Sequence, residues 1–161
     1  MKEKEYVRAK NLIHITLDNL YNNFSSVKDV LDKNLINIVN TEAPLTLNTL
    51  KARFREIFDV AKISGKALDI ISEEINSLGF CVTEELYDLV IWPKGGKFQI
   101  DYLRINSDRL IYDIPYDEFK NLANNFDLKG EELYRKILAY FNLEVLTQKA
   151  HDYLAFIEGG K

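Results

Sequence analysis

Apolar residues recur along the chain at two different periods, and the switch between them sets the expected architecture. Tyr6, Ala9, Ile13, Leu17, Leu20 and Phe24 fall at helical spacing, which predicts an N-terminal helix ending near residues 22–25, although Ile13–Leu17 also alternates like a strand. A second helix is expected from Ser26, with Val27, Val30, Leu31, Leu35, Ile38 and Val39 on its apolar face, and it ends at Glu42-Ala43-Pro44 because the residue before proline is pushed out of the helical region. Thr46 can cap a third helix carrying Leu47, Leu50, Phe54 and Ile57. Ser64 can cap a fourth carrying Leu68, Ile71, Ile75 and Leu78, with Gly79 as its stop. The period then becomes extended. Phe80–Thr83 and Leu86–Trp92, separated by Glu84-Glu85, read as a hairpin, and Phe98–Ile105 and Leu110–Ile114 as further strands. From Pro115 the helical period returns, with Phe119 and Leu122, then Leu133, Ile137, Tyr140 and Phe141, then Ala150, Leu154 and Ile157.

The two helical blocks match at an offset of about 83 residues. Leu50 falls on Leu133, Phe58 on Phe141, Lys66 on Lys149, Ala67 on Ala150 and Asp69 on Asp152, while the caps Ser64 and Thr147 also coincide. Three helices followed by a hairpin is the winged-helix order. The expected fold is therefore α+β and mainly helical: an N-terminal helix over 1–25, a winged-helix domain with extra strands over 26–112, and a second, trimmed three-helix copy over 113–161.

Composition narrows the function classes. The 161 residues are 47% hydrophobic with few glycines and prolines, which excludes a disordered or collagenous chain. The formal charge is -4, so this is not a globally basic nucleic-acid binder. A single cysteine, Cys81, excludes an internal disulfide and a cysteine-based zinc site, and reads as a buried small hydrophobe. The first residues lack the apolar run of a signal peptide, and apolar stretches such as Leu89–Trp92 are too short to cross a bilayer, so a cytoplasmic chain without membrane contact is expected.

Glu42-Ala43-Pro44, Ser64-Gly65-Lys66, Val90-Ile91-Trp92-Pro93, the following Arg104, Ile114-Pro115-Tyr116-Asp117-Glu118-Phe119 and the closing Phe141–Ala150 echo occur in one order. In that order they resemble an uncharacterised domain near the C-terminus of very large bacterial superfamily-one DNA helicase-like proteins, over about residues 31–156. The resemblance implies DNA-linked work in repair or defence and a helicase or nuclease-like partner. It supplies no catalytic residues, and the helicase and nuclease parts of those proteins have no counterpart in this sequence.

Chemistry-bearing motifs are sparse. Pro93-Lys94-Gly95-Gly96-Lys97 lacks phosphate-loop spacing and reads as a turn. Glu118-Phe119-Lys120, with Asp113 upstream, has the look of a nuclease metal site, but it follows Pro115 and reads as a solvated helix face. The adjacent pairs Glu73-Glu74, Glu84-Glu85 and Glu131-Glu132 point apart and make poor acid/base dyads. His151 falls on the apolar Leu68 position of the repeat, which predicts packing. No catalytic residue, metal ligand or cofactor is expected.

Charge is more informative. The helix that would read DNA in a winged helix exposes Lys66 but also Asp69, Glu73 and Glu74, and the wing tip carries Glu84, Glu85 and Asp88, all of which repel phosphate. Residues 113–158 hold nine acids against five bases. Positive charge collects instead between Ala43 and Lys66, and at a second cluster of Lys94, Lys97, Arg104 and Arg109. The candidate nucleic-acid residues are accordingly Lys51, Arg55, Lys62, Lys66, Lys94, Lys97 and Arg104. Among nine tyrosines, Tyr102 and Tyr112 flank the middle strands and are the candidate interface residues. Two functions stand side by side: a non-enzymatic accessory module with weak, non-specific nucleic-acid contact, and a purely protein-binding module whose partner is a helicase, a nuclease or a second copy of the chain.

Overall fold

The computed structural model describes residues 1–96 and 98–159. In chain order its elements are β1 (Lys2–Glu5), α1 (Leu17–Asn22), α2 (Phe24–Glu42), β2 (Leu45–Thr46), α3 (Leu47–Phe58), α4 (Gly65–Ser77), β3 (Cys81–Glu84), β4 (Leu89–Trp92), β5 (Tyr102–Ile105), a single 3-10 turn (Ile111–Asp113), α5 (Tyr116–Ala123), α6 (Gly130–Tyr140) and α7 (Gln148–Gly159). The chain is thus α+β with helix predominating. It divides into two units, one of Val7–Glu84 with Asp88–Phe98, the other of Met1–Tyr6, Glu85–Tyr87 and Gln99–Lys161.

In the first unit the apolar stripe of α2 supplies Leu31, Leu35, Ile38 and Val39, all at most 1% exposed, to a core shared with Leu50, Phe54 and Ile57 of α3 and Ala67, Ile71 and Ile75 of α4. Side-chain caps open the helices: Thr46 Oγ1 accepts from the Thr49 amide at 3.2 Å and Ser64 Oγ from the Ala67 amide at 3.1 Å. Gly79, at φ +79°, ends the α4 turn in the left-handed region that favours glycine. The chain then pairs β3 with β4 antiparallel, Cys81 opposite Trp92 and Glu84 opposite Leu89. β4 also pairs antiparallel with the two-residue β2, giving the order β2-β4-β3. Cys81 is half-buried rather than enclosed.

The N-terminal expectation is corrected. Of the predicted 1–25 helix, Leu17–Asn22 forms a short helix of its own, residues 24 and 25 already belong to α2, and Lys2–Glu5 is a strand. Polar side chains of α2 take over the backbone groups that a helix would have used. Buried Asn34 receives the Ile13 amide and donates to the Ile13 carbonyl, both at 2.8 Å; Asn37 donates to the Lys10 carbonyl at 2.7 Å; Glu42 accepts from the Ala9 amide at 3.1 Å. Residues 7–16 are held as a strap with Ala9 and Ile15 buried.

In the second unit β1 and β5 pair in parallel, Lys2 opposite Tyr102 and Glu5 opposite Ile105. Leu103 of β5, Phe119 and Leu122 of α5, Leu133, Tyr134, Ile137 and Leu138 of α6, and Ala150, Tyr153, Leu154 and Ile157 of α7 form its core. Two strand expectations shrink: Phe98–Ile105 is extended pairing only over Tyr102–Ile105, and Leu110–Ile114 holds a 3-10 turn at Ile111–Asp113 in place of a strand. The long segment of this unit starts at Gln99, and β5 packs on α5 within it.

The 83-residue offset is a relation of geometry as well as of letters. α3 and α6 start at Leu47 and Gly130, α4 and α7 at Gly65 and Gln148. Thr147 Oγ1 accepts from the Ala150 amide at 3.1 Å, as Ser64 does from Ala67. Asp59 and Asn142 both turn the chain at positive φ, 54° and 59°, and the amides that follow them reach back to Arg55 and Leu138 at 3.0 and 2.9 Å. Equivalent caps have equivalent effects. Ser64→Ala and Thr147→Ala are each expected to cost about 1 kcal/mol, which speeds amide exchange at the start of the helix concerned by about fivefold. A cap effect at one site and none at the other is the contrary result.

Candidate functional site

The sequence stretch that concentrates bases sorts them by helix face. Leu50, Phe54 and Ile57 take the inner face of α3, so Lys51 and Arg55, four residues apart, share an outward one and are half-buried along their stems. Lys62 is exposed in the connection to α4. Lys66 is exposed on the first turn of α4, its Nζ 4.4 Å from the centre of the Tyr21 ring. Arg53 turns inward, gripping Glu42 through Nε at 2.8 Å and Nη2 at 2.7 Å. Glu56 is paired with Arg8. Among the described residues, Lys51, Arg55, Lys62 and Lys66 are in no ion pair, and Asp59 is the one acid of residues 43–66 left in the same condition.

The second predicted cluster does not assemble. Lys94 is exposed in the turn after β4, its stem lying over Gly79. Lys97 lies outside the described residues. Arg104 is only 7% exposed, so it is withdrawn from the surface on which a phosphate could reach it. Its guanidinium and that of Arg109 converge on Glu118, which is fully buried instead of lying on a solvated helix face. Glu118 accepts from the Arg104 amide at 2.8 Å, from Arg104 Nη2 at 2.9 Å and from Arg109 Nη1 at 2.8 Å. Arg109 Nη2 also donates to the Arg104 carbonyl at 3.0 Å, and the Tyr6 ring lies 4.5 Å from its guanidinium carbon. Burial pushes the Glu118 carboxyl up, but the hydrogen bonds from Arg109 and the charge and hydrogen bond of Arg104 outweigh it and hold the group below the usual carboxylate range. Lys120 faces Asp117, 3.9 Å away, so the nuclease-like triplet places its lysine and its glutamate on different neighbours.

The acids also redistribute. Asp69 and Glu73 of α4 are exposed as expected, but Glu74 is buried against α2. There Lys28 Nζ lies 2.8 Å from Asp32 and 3.4 Å from Glu74. The hydrogen bond with Asp32 and burial raise the Glu74 pKa. At Asp32 burial pulls the other way from the hydrogen bonds of Glu74 and Lys28, and the latter hold its pKa down. At the hairpin, Glu84 is exposed, whereas Asp88 caps backbone, accepting from the Asn48 amide at 2.9 Å and the Leu89 amide at 2.8 Å. The turn residues Glu85–Tyr87 belong to the second unit. Glu85 accepts from the Tyr116 amide at 3.2 Å, and the Leu86 amide donates to the Tyr116 hydroxyl. Tyr116 itself is pushed up to about 12, first by burial.

The two candidate interface tyrosines are both half-buried and have different neighbours. Tyr102 lies under Lys4, 4.0 Å from its Nζ. Tyr112, in the 3-10 turn, meets Tyr153 edge-on at 5.2 Å and Tyr87 at 5.8 Å, with Lys149 Nζ 4.1 Å above it. Tyr153, which sequence reasoning did not single out, is the hub: Tyr87, Tyr112, Tyr116 and Phe119 all pack on its ring. Its signal was its place in the repeat, opposite Ile70 of α4. His151 packs edge-on against Tyr134 at 5.3 Å.

Among the described residues, no group of three or more His, Cys, Asp or Glu side chains is placed to hold a metal ion, and no helix is long and apolar enough to cross a membrane. No protein-family model matches the chain, and no solved structure matches it. Over 121 residues, 74% of this chain, the sequence is 26% identical to calcium-dependent protein kinase 32 of Arabidopsis thaliana. The chain spans 22% of the length of that kinase.

Two outcomes test the buried carboxylates. Glu118→Ala leaves two guanidiniums buried without their counter-ion and is expected to lower stability by about 3–5 kcal/mol in urea unfolding; a loss under about 1 kcal/mol contradicts the role described. For Glu74, the folded chain holds the proton more tightly than the unfolded one. That contribution is complete below the ordinary carboxyl range and is lost as pH rises through the raised pKa. Asp32 has the opposite sign and loses its contribution as pH falls. Glu74→Gln keeps a donor toward Asp32 at every pH. Its urea midpoint should exceed that of the parent at about pH 7.5 and converge with it toward about pH 4.

Proposed function

We propose that this chain is a non-enzymatic accessory module of winged-helix type that touches nucleic acid weakly and without sequence preference, through phosphate. The helix order α2, α3, α4 followed by the β3–β4 hairpin, with β2 completing the sheet, supports the winged-helix reading. The observation that carries the nucleic-acid reading is the set Lys51, Arg55, Lys62 and Lys66: four bases with no ion pair among the described residues, in a stretch where Glu56 and Arg53 are neutralised and Asp59 is the one opposing charge left. Such a set gains by releasing counterions from a phosphate backbone. Sequence reading by α4 is disfavoured by Asp69 and Glu73 on its exposed side, and the hairpin turn is occupied within the second unit. The helicase-like resemblance gives the proposal its setting: a domain that works beside a DNA-processing enzyme and contributes no reaction of its own.

A gel shift with a short duplex and a single strand tests it. Binding should weaken steeply with salt, with log K against log[salt] falling at a slope of about -3.6 on duplex DNA. The fourfold reversal Lys51→Glu, Arg55→Glu, Lys62→Glu and Lys66→Glu should abolish the shift, while Arg104, being buried, is left alone. No shift of the parent chain with either nucleic acid at low salt ends this reading and leaves the protein-binding one.

A further inference from the structure

We infer that the groove between α4 and the β3–β4 hairpin docks a basic amphipathic segment of a partner protein. All of its residues belong to the first unit. Ile75 of α4 and Ile91 of β4 form the floor, at 3% and 1% exposure; Leu47, Leu89 and Val82 form the apolar walls, with Ser72 and Asn76 on the α4 side. The space is about 190 Å³. Val82 stands directly opposite Ile91 in the ladder yet is 43% exposed, so an aliphatic wall faces solvent across an aliphatic floor. Ser72 and Asn76 are one helical turn apart and leave the α4 wall low, and a side chain entering from outside can lie against Ile75 without displacing anything bulky.

The charges beside the groove choose the occupant. Asp69 and Glu73, exposed and one turn apart, run along α4 next to the Ser72–Asn76 strip. Glu84 shares the face of β3 with Val82 and stands opposite Leu89. These acids repel phosphate, and an apolar floor offers a nucleic acid no hydrogen bonds. The same combination fits a segment that places leucine-like side chains in the groove and lysine or arginine beside them, the helix-in-groove mode of peptide recognition. Lys51, one turn from Leu47, marks the α3 end, so the cationic side of the segment is directed toward α4 and β3.

Lys51 borders this groove and Lys66 precedes Asp69 on α4, whereas Arg55 and Lys62 lie off it, so reversing Arg55 and Lys62 alone separates the two readings. The probe is a fluorescein-labelled 18-residue Leu/Lys amphipathic peptide, with a Leu/Glu peptide of the same pattern as its control. Titrated into the full 15N-labelled chain, the Leu/Lys peptide should shift the amides of Ser72, Asn76, Val82 and Leu89. Val82→Asp makes the surface more acidic while spoiling the apolar wall, and should weaken binding at least tenfold. Ser72→Phe, which fills the groove without changing charge, should do the same. Asp69→Lys with Glu73→Lys should weaken it as well, and Arg55→Glu with Lys62→Glu should leave it intact. The proposal is overturned if the peptide does not bind, if its shifts map elsewhere, if Val82→Asp binds as tightly as the parent, or if the Leu/Glu peptide binds equally.

Discussion

In each unit a carboxylate that has left water entirely is gripped by arginine. Glu42 closes the last turn of α2 and holds Arg53 of α3, while its second oxygen also receives the amide of Ala9, so one side chain ties two helices and the N-terminal strap. Glu118 of α5 does the same for β5 and the loop after it, taking a backbone amide and two guanidiniums. An ion pair of this kind is a poor source of net stability compared with apolar packing, but removing one member is severe, because the other then stays buried and unpaired. Its value is positional. A leucine in place of Glu42 would satisfy the core without specifying where α3 and residues 7–16 must lie.

Much of the helical part was legible because the apolar stripes agree with the caps. Thr46, Ser64 and Thr147 stand where their hydroxyls meet the third amide on, and the stripes of α2, α3, α4, α6 and α7 are largely buried, Tyr140 of α6 being exposed instead. The failures at the N-terminus and among the charges share one cause: polar side chains that find partners periodicity does not reveal. Residues 7–16 have a helical pattern but lose their helix to Asn34, Asn37 and Glu42. Arg104, Glu74, Glu85 and Asp88 count as surface charge in a sequence tally, yet each is committed to a partner that periodicity does not reveal. Charge composition says how many ions a stretch has. It does not say which of them are spent inside.

Taking those spent charges away sharpens the surface of the first unit. What remains on α3, the α3–α4 connection and the first turn of α4 is mainly basic, Asp59 excepted; what remains on the rest of α4 and on β3 is acidic and borders an apolar groove. On the proposed reading the two surfaces suit different kinds of molecule, a phosphate backbone and a cationic segment of a protein. The order of helices and strands alone does not give this separation, since it depends on Glu56 being taken by Arg8 and Arg53 by Glu42.

The division of the hairpin has a practical consequence. Its strands belong to one unit and its turn, Glu85–Tyr87, to the other, and Met1–Tyr6 also lies apart in sequence from Gln99 onward. The polypeptide therefore passes from unit to unit four times. No single truncation or protease cut can release either unit whole, and a fragment beginning at Gln99 would lack both β1, the partner strand of β5, and the tyrosine that stacks on Tyr153.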